Sequence, residues 1–184
     1  MASEQLQNIV GALESATTRT GVRLVDLCEA SPVLLVFLRH AGCTFCREAL
    51  SDLAAEKRVI DATGTKIVLI HMGDAEGIET LLERYQLEGV ERICDPQQRL
   101  YQAFGLKRGT LRQLLGPKVL WRAFGRGVLA RHGIAWQAAD ASQMPGLFLM
   151  DETGIIRRFR HKSAADRPDY AGMVTADATA VAEQ

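Results

Sequence analysis

Val33-Leu34-Leu35-Val36-Phe37-Leu38-Arg39-His40-Ala41-Gly42-Cys43-Thr44-Phe45-Cys46-Arg47-Glu48 decides the reading of this chain. An all-apolar run passes through a Gly-containing turn into two cysteines spaced three apart. Val33 to Leu38 suit a strand buried on both faces and fall well short of the roughly 20 residues of a membrane-spanning helix. Downstream, Cys46, Leu50, Leu53, Ala54 and Ile60 recur at helical spacing, which places Cys43 at or next to the first helical residue. A helix N-terminus presents unpaired amides and about half a positive charge, and both favour thiolate over thiol. Arg39, His40 and Arg47 add positive charge nearby. Cysteines in such settings have pKa values of roughly 3.5 to 7.5, against about 8.5 for a free thiol.

Outward from that stretch, 184 residues with 47% hydrophobic and 24% charged side chains fit one ordinary globular domain spanning 1–184. The 22 basic and 22 acidic residues cancel, so charge argues for neither nucleic acid nor an anionic membrane as a partner. Met1 to Asn8 lacks the basic-then-apolar pattern of a secretory signal. Four cysteines without such a signal read as thiols in a reducing compartment, and the expected location is the cytoplasm.

Leu6, Ile9, Val10 and Leu13 mark a short amphipathic helix with Ser3 as its N-cap. Val22 to Leu27 alternates like an outer strand or an extended lead-in. Lys66 to Met72 begins a second buried strand, joined to the first by the cysteine-bearing helix and therefore parallel to it. Gly73-Asp74 caps a helix with Ile78, Leu81, Leu82 and Tyr85 on its apolar face. Arg92-Ile93-Cys94 is a short strand closed by Asp95-Pro96, and a helix through Leu100, Tyr101 and Phe104 runs up to Gly105. Residues 107–140 form a helical insertion, broken near Gly116-Pro117 and carrying Trp121, Phe124 and Trp136. A covering helix pair and a partner surface are the two readings of it. Leu147 to Met150 and Ile155 to Arg160 make a hairpin across Asp151-Glu152-Thr153-Gly154. Tyr170 and Met173 anchor a short final helix before a tail expected to fray.

Alternation first and a hairpin last argue for a mixed α/β sheet with helices on both faces. With Cys-x-x-Cys after the first central strand and a proline before the hairpin, this order resembles the thioredoxin fold, its core at about 20–165. The stretch Phe37 to Glu48, Arg160-His161-Lys162-Ser163-Ala164-Ala165-Asp166-Arg167-Pro168-Asp169-Tyr170, and Cys94-Asp95-Pro96 with Tyr101 to Leu106 narrow the likeness. They resemble the peroxiredoxin-like, selenoprotein L-related branch of the alkyl hydroperoxide reductase and thiol-specific antioxidant superfamily. Typical peroxiredoxins carry Pro-x-x-x-Thr-x-x-Cys. Here Arg39 and Cys43 stand for Pro and Thr if Cys46 is matched, and Val36 and His40 do so if Cys43 is matched. The resemblance thus implies dithiol chemistry more directly than peroxide reduction. It also implies that Pro145 is a cis-proline facing the dithiol, with a positional role.

The expected activity is thiol-disulfide exchange without metal or organic cofactor. Cys43 attacks and Cys46 resolves, supported by Arg39, Arg47 and Pro145. A thiol-dependent peroxidase and a non-catalytic thioredoxin-fold binding module are the alternatives. Partners would be a protein or small-molecule disulfide, or a peroxide, together with an upstream thiol reductant; a homodimer is compatible with the sequence. His40, Cys43 and Cys46 offer three metal ligands, but structural zinc wants four and no second pair follows. Cys28 and Cys94 read as buried structural thiols, Cys94 with a resolving role as its alternative. His71 and His132 read as satisfied polar side chains, and Arg160 with His161 as a solvated strand end.

Overall fold

The computed structural model describes residues 2–39, 43–73, 75–110, 113–114, 116–121 and 142–175. Its elements are α1 (Ala2–Ser15), α2 (Leu24–Ala30), β1 (Val33–Phe37), α3 (Thr44–Ala62), β2 (Lys66–His71), α4 (Ala75–Arg84), β3 (Glu91–Cys94), α5 (Arg99–Ala103), α6 (Pro117–Leu120), β4 (Gly146–Asp151), β5 (Gly154–Arg160) and α7 (Tyr170–Thr175).

The apolar run becomes the central strand of a five-stranded sheet ordered β3-β2-β1-β4-β5. β1 pairs in parallel with β2 and antiparallel with β4, and every residue of β1 is buried. Successive side chains alternate between the two faces of a strand, so this run feeds two cores. Leu34, Val36 and Leu38 join Leu50, Leu53 and Ile60 of α3, Leu81 and Leu82 of α4, and Tyr170 of α7. Val33, Leu35 and Phe37 join Leu13 of α1, Leu24 and Cys28 of α2, Leu100 and Tyr101 of α5, and Phe148 of β4. A sheet buried on both faces requires this continuous hydrophobicity.

On the second face Phe37, Tyr101, Phe104 and Phe148 form an edge-to-face and tilted aromatic cluster, with centroids 4.8–5.6 Å apart. From within it the Tyr101 hydroxyl donates to the carbonyls of Leu38 and Ile70, the latter at 3.0 Å, tying together the ends of β1 and β2. Asp95 holds the start of α5, its carboxylate accepting from Arg99 N at 3.0 Å and Leu100 N at 2.8 Å. Gly105 turns the chain out of α5 at φ 68°. In the β4–β5 hairpin, Asp151 Oδ1 accepts from Thr153 N at 2.8 Å, and Gly154 takes φ 121°.

Four expectations change. Val22 to Leu27 is not a strand: α2 starts at Leu24, because Leu24 and Cys28, four apart, both bury against the sheet, while Arg23 clamps Asp26 with two hydrogen bonds. Ser3 lies inside the first turn of α1 rather than before it. Pro145 is not cis, since no peptide bond among the described residues is. Gly109 N donates to Ser142 O at 2.7 Å and Met144 N to Lys107 O at 3.2 Å, while Gln143 Nε2 donates to Leu106 O at 3.0 Å. That pairing holds the strand entry extended, a path the inherently favoured trans bond continues. It also brings the two ends of the insertion together. α6 begins at Pro117 as expected of a helix-starting proline, whereas Phe124, His132, Trp136 and the tail after Thr175 lie outside the described residues. Finally, Cys94 is exposed rather than buried, because it ends edge strand β3; its thiol donates to Gly73 O at 3.4 Å.

Candidate active site

The end of β1 and the start of α3 meet at the two cysteines. Cys43 is the N-cap of α3, with extended backbone (φ −77°, ψ 122°), and Cys46 lies one turn on, on the helix face that buries Leu50 and Leu53. Neither cysteine is in a disulfide, and the two are 7% and 5% exposed. The Arg39 backbone N–H donates to Cys46 Sγ at 3.2 Å, fixing that sulfur under the strand end. The Cys46 thiol is also hydrogen-bonded to Cys43. That bond first, and burial second, push the Cys46 pKa well above the ordinary thiol value, opposed by Arg39. Cys46 therefore holds its proton, and Cys43 stands at the positive end of a 19-residue helix.

The cleft beside the pair is walled by Arg39, Phe45, Pro145, Leu147, His161 and Tyr170, with Asp52 and Arg167 at one side. Its free space is about 20 Å³, room for one water. Arg167 grips Asp52 through two bonds of 2.6 Å, and Glu56 accepts from Ala171 N at 2.6 Å, so the segment after β5 is braced against α3. Tyr170 is 1% exposed, and its phenol is raised beyond the ordinary range by burial.

Of the residues expected at the site, Cys43, Cys46, Arg39 and Pro145 come together. Arg47 follows on α3, its N–H donating to Cys43 O at 3.1 Å, but its side chain is not part of the cleft wall. His40 lies outside the described residues. Arg160 turns to the opposite face, donating to Phe104 O at 2.8 Å with its guanidinium 5.7 Å above the Phe148 ring. His161, read as a solvated strand end, is instead part of the site. Burial lowers its pKa to about 4, against the opposing influence of Asp166 and of the Pro145 and Asp166 backbone, so the ring is neutral; Nδ1 is buried without a hydrogen-bond partner. Arg39 Nε is buried without a partner as well. Nothing in local sequence periodicity announces His161 or the Asp52–Arg167 clamp, because each meets the site across more than a hundred residues of chain. His71, by contrast, is the satisfied polar side chain expected, 2% exposed with Nδ1 3.1 Å from Gly73 O. Among the described residues no group of three His, Cys, Asp or Glu is arranged to hold a metal.

The family model described as AhpC/TSA antioxidant enzyme matches residues 52–163. The chain belongs to the AhpC/TSA antioxidant enzyme family. The match begins inside α3, just past Cys46, and runs through β5. Among related proteins, the prostamide/prostaglandin F synthase of Bos taurus is 27% identical over 164 residues, covering 85% of this chain and 80% of that one. The chloroplastic thioredoxin-like protein AAED1 of Arabidopsis thaliana is 33% identical over 88 residues, covering 48% of this chain and about a third (35%) of its own length. The peroxidoxin BcpB structure from Mycobacterium tuberculosis superposes with a TM-score of 0.60 at 16% identity, covering 91% of this chain and 92% of that one. The AhpC/TSA member described here thus has the thioredoxin-like fold expected from its order of elements.

Proposed function

We propose that the protein is a thiol-disulfide oxidoreductase in which Cys43 attacks and Cys46 resolves. One observation carries this reading: the two sulfurs lie together at the first turn of α3, Cys43 at its N-cap and Cys46 proton-bearing and hydrogen-bonded to it. Cys43 as thiolate attacks a disulfide R–S–S–R, forming the Cys43–S–S–R mixed disulfide and releasing one R–S⁻. Cys46 then attacks the Cys43 sulfur, closing the intramolecular disulfide and releasing the second R–S⁻. Two electrons pass from the dithiol to the substrate, and an upstream thiol reductant restores the pair. Arg39 orients Cys46 through its backbone, and Pro145 shapes the opposite wall. An exposed Cys94 and three further cysteines, none of them in a disulfide, fit a reducing compartment such as the cytoplasm.

The cleft itself favours a second reading. A space of about 20 Å³ admits a hydroperoxide oxygen more readily than a bulky disulfide, and the family is one of antioxidant enzymes. In that case Cys43 takes one oxygen from the peroxide, becoming a sulfenic acid and releasing an alcohol or water. Cys46 displaces the hydroxyl as water and forms the same disulfide. Trapping and stopped flow separate the readings. With Cys46→Ser, an oxidised protein partner should remain bound through Cys43. Peroxide consumption faster than disulfide exchange, under one thiol reductant, would put the peroxidase reading first.

A further inference from the structure

We propose that His161 accepts the Cys46 proton, through the one water for which the cleft has room, as Cys46 closes the disulfide on Cys43. This rests on the assignment of Cys43 as attacker and Cys46 as resolver. Cys46 is held protonated, yet it must attack as thiolate, so the resolving step needs an acceptor close to two cysteines that are only 5–7% exposed.

The other groups facing the cleft are engaged. Both Asp52 oxygens accept from Arg167. The Asp166 carboxylate accepts from Lys162 N, Ser163 N and Ser163 Oγ at 2.6–2.9 Å. Glu48 has an interaction of its own. The Tyr170 hydroxyl keeps its proton. Arg39 is a cation and a donor only. Among the described residues of the cleft wall, His161 alone offers an acceptor nitrogen without a partner: its ring is neutral and buried Nδ1 stays open. In the step, the Cys46–H bond breaks and its proton passes to Nδ1. The Cys46 sulfur bonds to the Cys43 sulfur, the bond from Cys43 to R–S breaks, and His161 gives the proton to the departing R–S⁻ where that thiolate is basic enough to take it, and otherwise to solvent. Charge and electrons balance with no further reactant.

The test uses the full chain in a Cys28→Ala, Cys94→Ser background, mixed with 5,5′-dithiobis(2-nitrobenzoate) in a stopped-flow instrument. The first thionitrobenzoate released reports attack by Cys43, and the second reports resolution by Cys46. His161→Gln is expected to slow the second release by about 100-fold at pH 6 and to leave the first within about threefold. Its second-phase rate should rise about tenfold per pH unit, because hydroxide must now remove the proton, whereas the parent is flat from pH 5.5 to 7.5. Added imidazole should restore His161→Ala. Equal slowing of both phases, or an unchanged second phase and pH slope in both His161→Gln and His161→Asn, overturns the proposal. Cys46→Ser is the separate control: if it retains the second release, the attacker and resolver assignment has failed instead.

Discussion

The two faces of the sheet each bury cysteine, and only one pairs it with a second thiol. Cys28, on α2, is 4% exposed, about as buried as Cys43 and Cys46. It faces Leu13, Leu24 and Phe148 with no second thiol among the buried residues of its cluster, and burial, helped by Asp151 and Glu29, pushes its pKa to about 11. Across β1, the α3 face supplies a helix N-terminus, a backbone donor from Arg39, a partner thiol and the His161 wall. Burial alone therefore silences a thiol. What sets the Cys43–Cys46 pair apart, among the described residues, is its place where a strand ends and a helix begins.

The largest contrast is in turnover. Cys43→Ser should cost about a thousandfold or more, as loss of a covalent nucleophile does, while Cys28→Ala should leave turnover within about twofold. A comparable loss from Cys28→Ala would erase the distinction between the faces. Next in size, Tyr101→Phe keeps the aromatic cluster but strips the Leu38 and Ile70 carbonyls of their shared donor. Ile70 O keeps the Leu38 N–H at 2.8 Å, but the buried Leu38 carbonyl loses the hydroxyl, which predicts about 1–3 kcal/mol of lost stability by urea titration. A loss near zero would show that the hydroxyl does not tie the strand ends.

How much of this was legible follows the range of the interactions. The strand, turn and helix around Cys43 could be read because hydrophobic period and helix entry are local properties. The same holds for the Asp151–Gly154 turn and for the Leu100, Tyr101, Phe104 helix. Val22 to Leu27 misled because six residues of loose alternation do not separate a strand from a two-turn helix whose Leu24 and Cys28 bury together. The Arg160–His161 pair reads in sequence as one solvated strand end, yet Arg160 closes β5 and His161 follows it with its side chain on the other side. Arg160 went to Phe104 and Phe148, His161 to the dithiol. Arg167 and Asp52 meet across 115 residues, which no local pattern encodes.

Two smaller effects sharpen the picture of the dithiol wall. His161 has a folded pKa lowered to about 4, so between that value and its unfolded value of about 6.5 the unfolded chain binds more protons. Stability from this group is thus fully present above about pH 6.5 and is lost as pH falls toward 4. The wild type should lose urea midpoint over that window and His161→Gln should lose less; parallel curves would mean the ring is not buried neutral. Smallest of all, Arg167→Ala removes an ion pair whose arginine is 60% exposed, and about 0–1 kcal/mol is expected in the same titration. A larger loss would make that clamp a principal support of α7.

The central claim is that Cys43 and Cys46 form a reversible redox pair. Equilibration in graded glutathione or dithiothreitol buffers, followed by acid quenching, alkylation and mass mapping, measures it directly. The predicted result is one Cys43–Cys46 disulfide, formed and reduced in a single two-electron transition at a potential above about −300 mV, with Cys28 alkylated throughout. A pair that stays reduced in every oxidising buffer, or a disulfide that forms only below that potential, would contradict it.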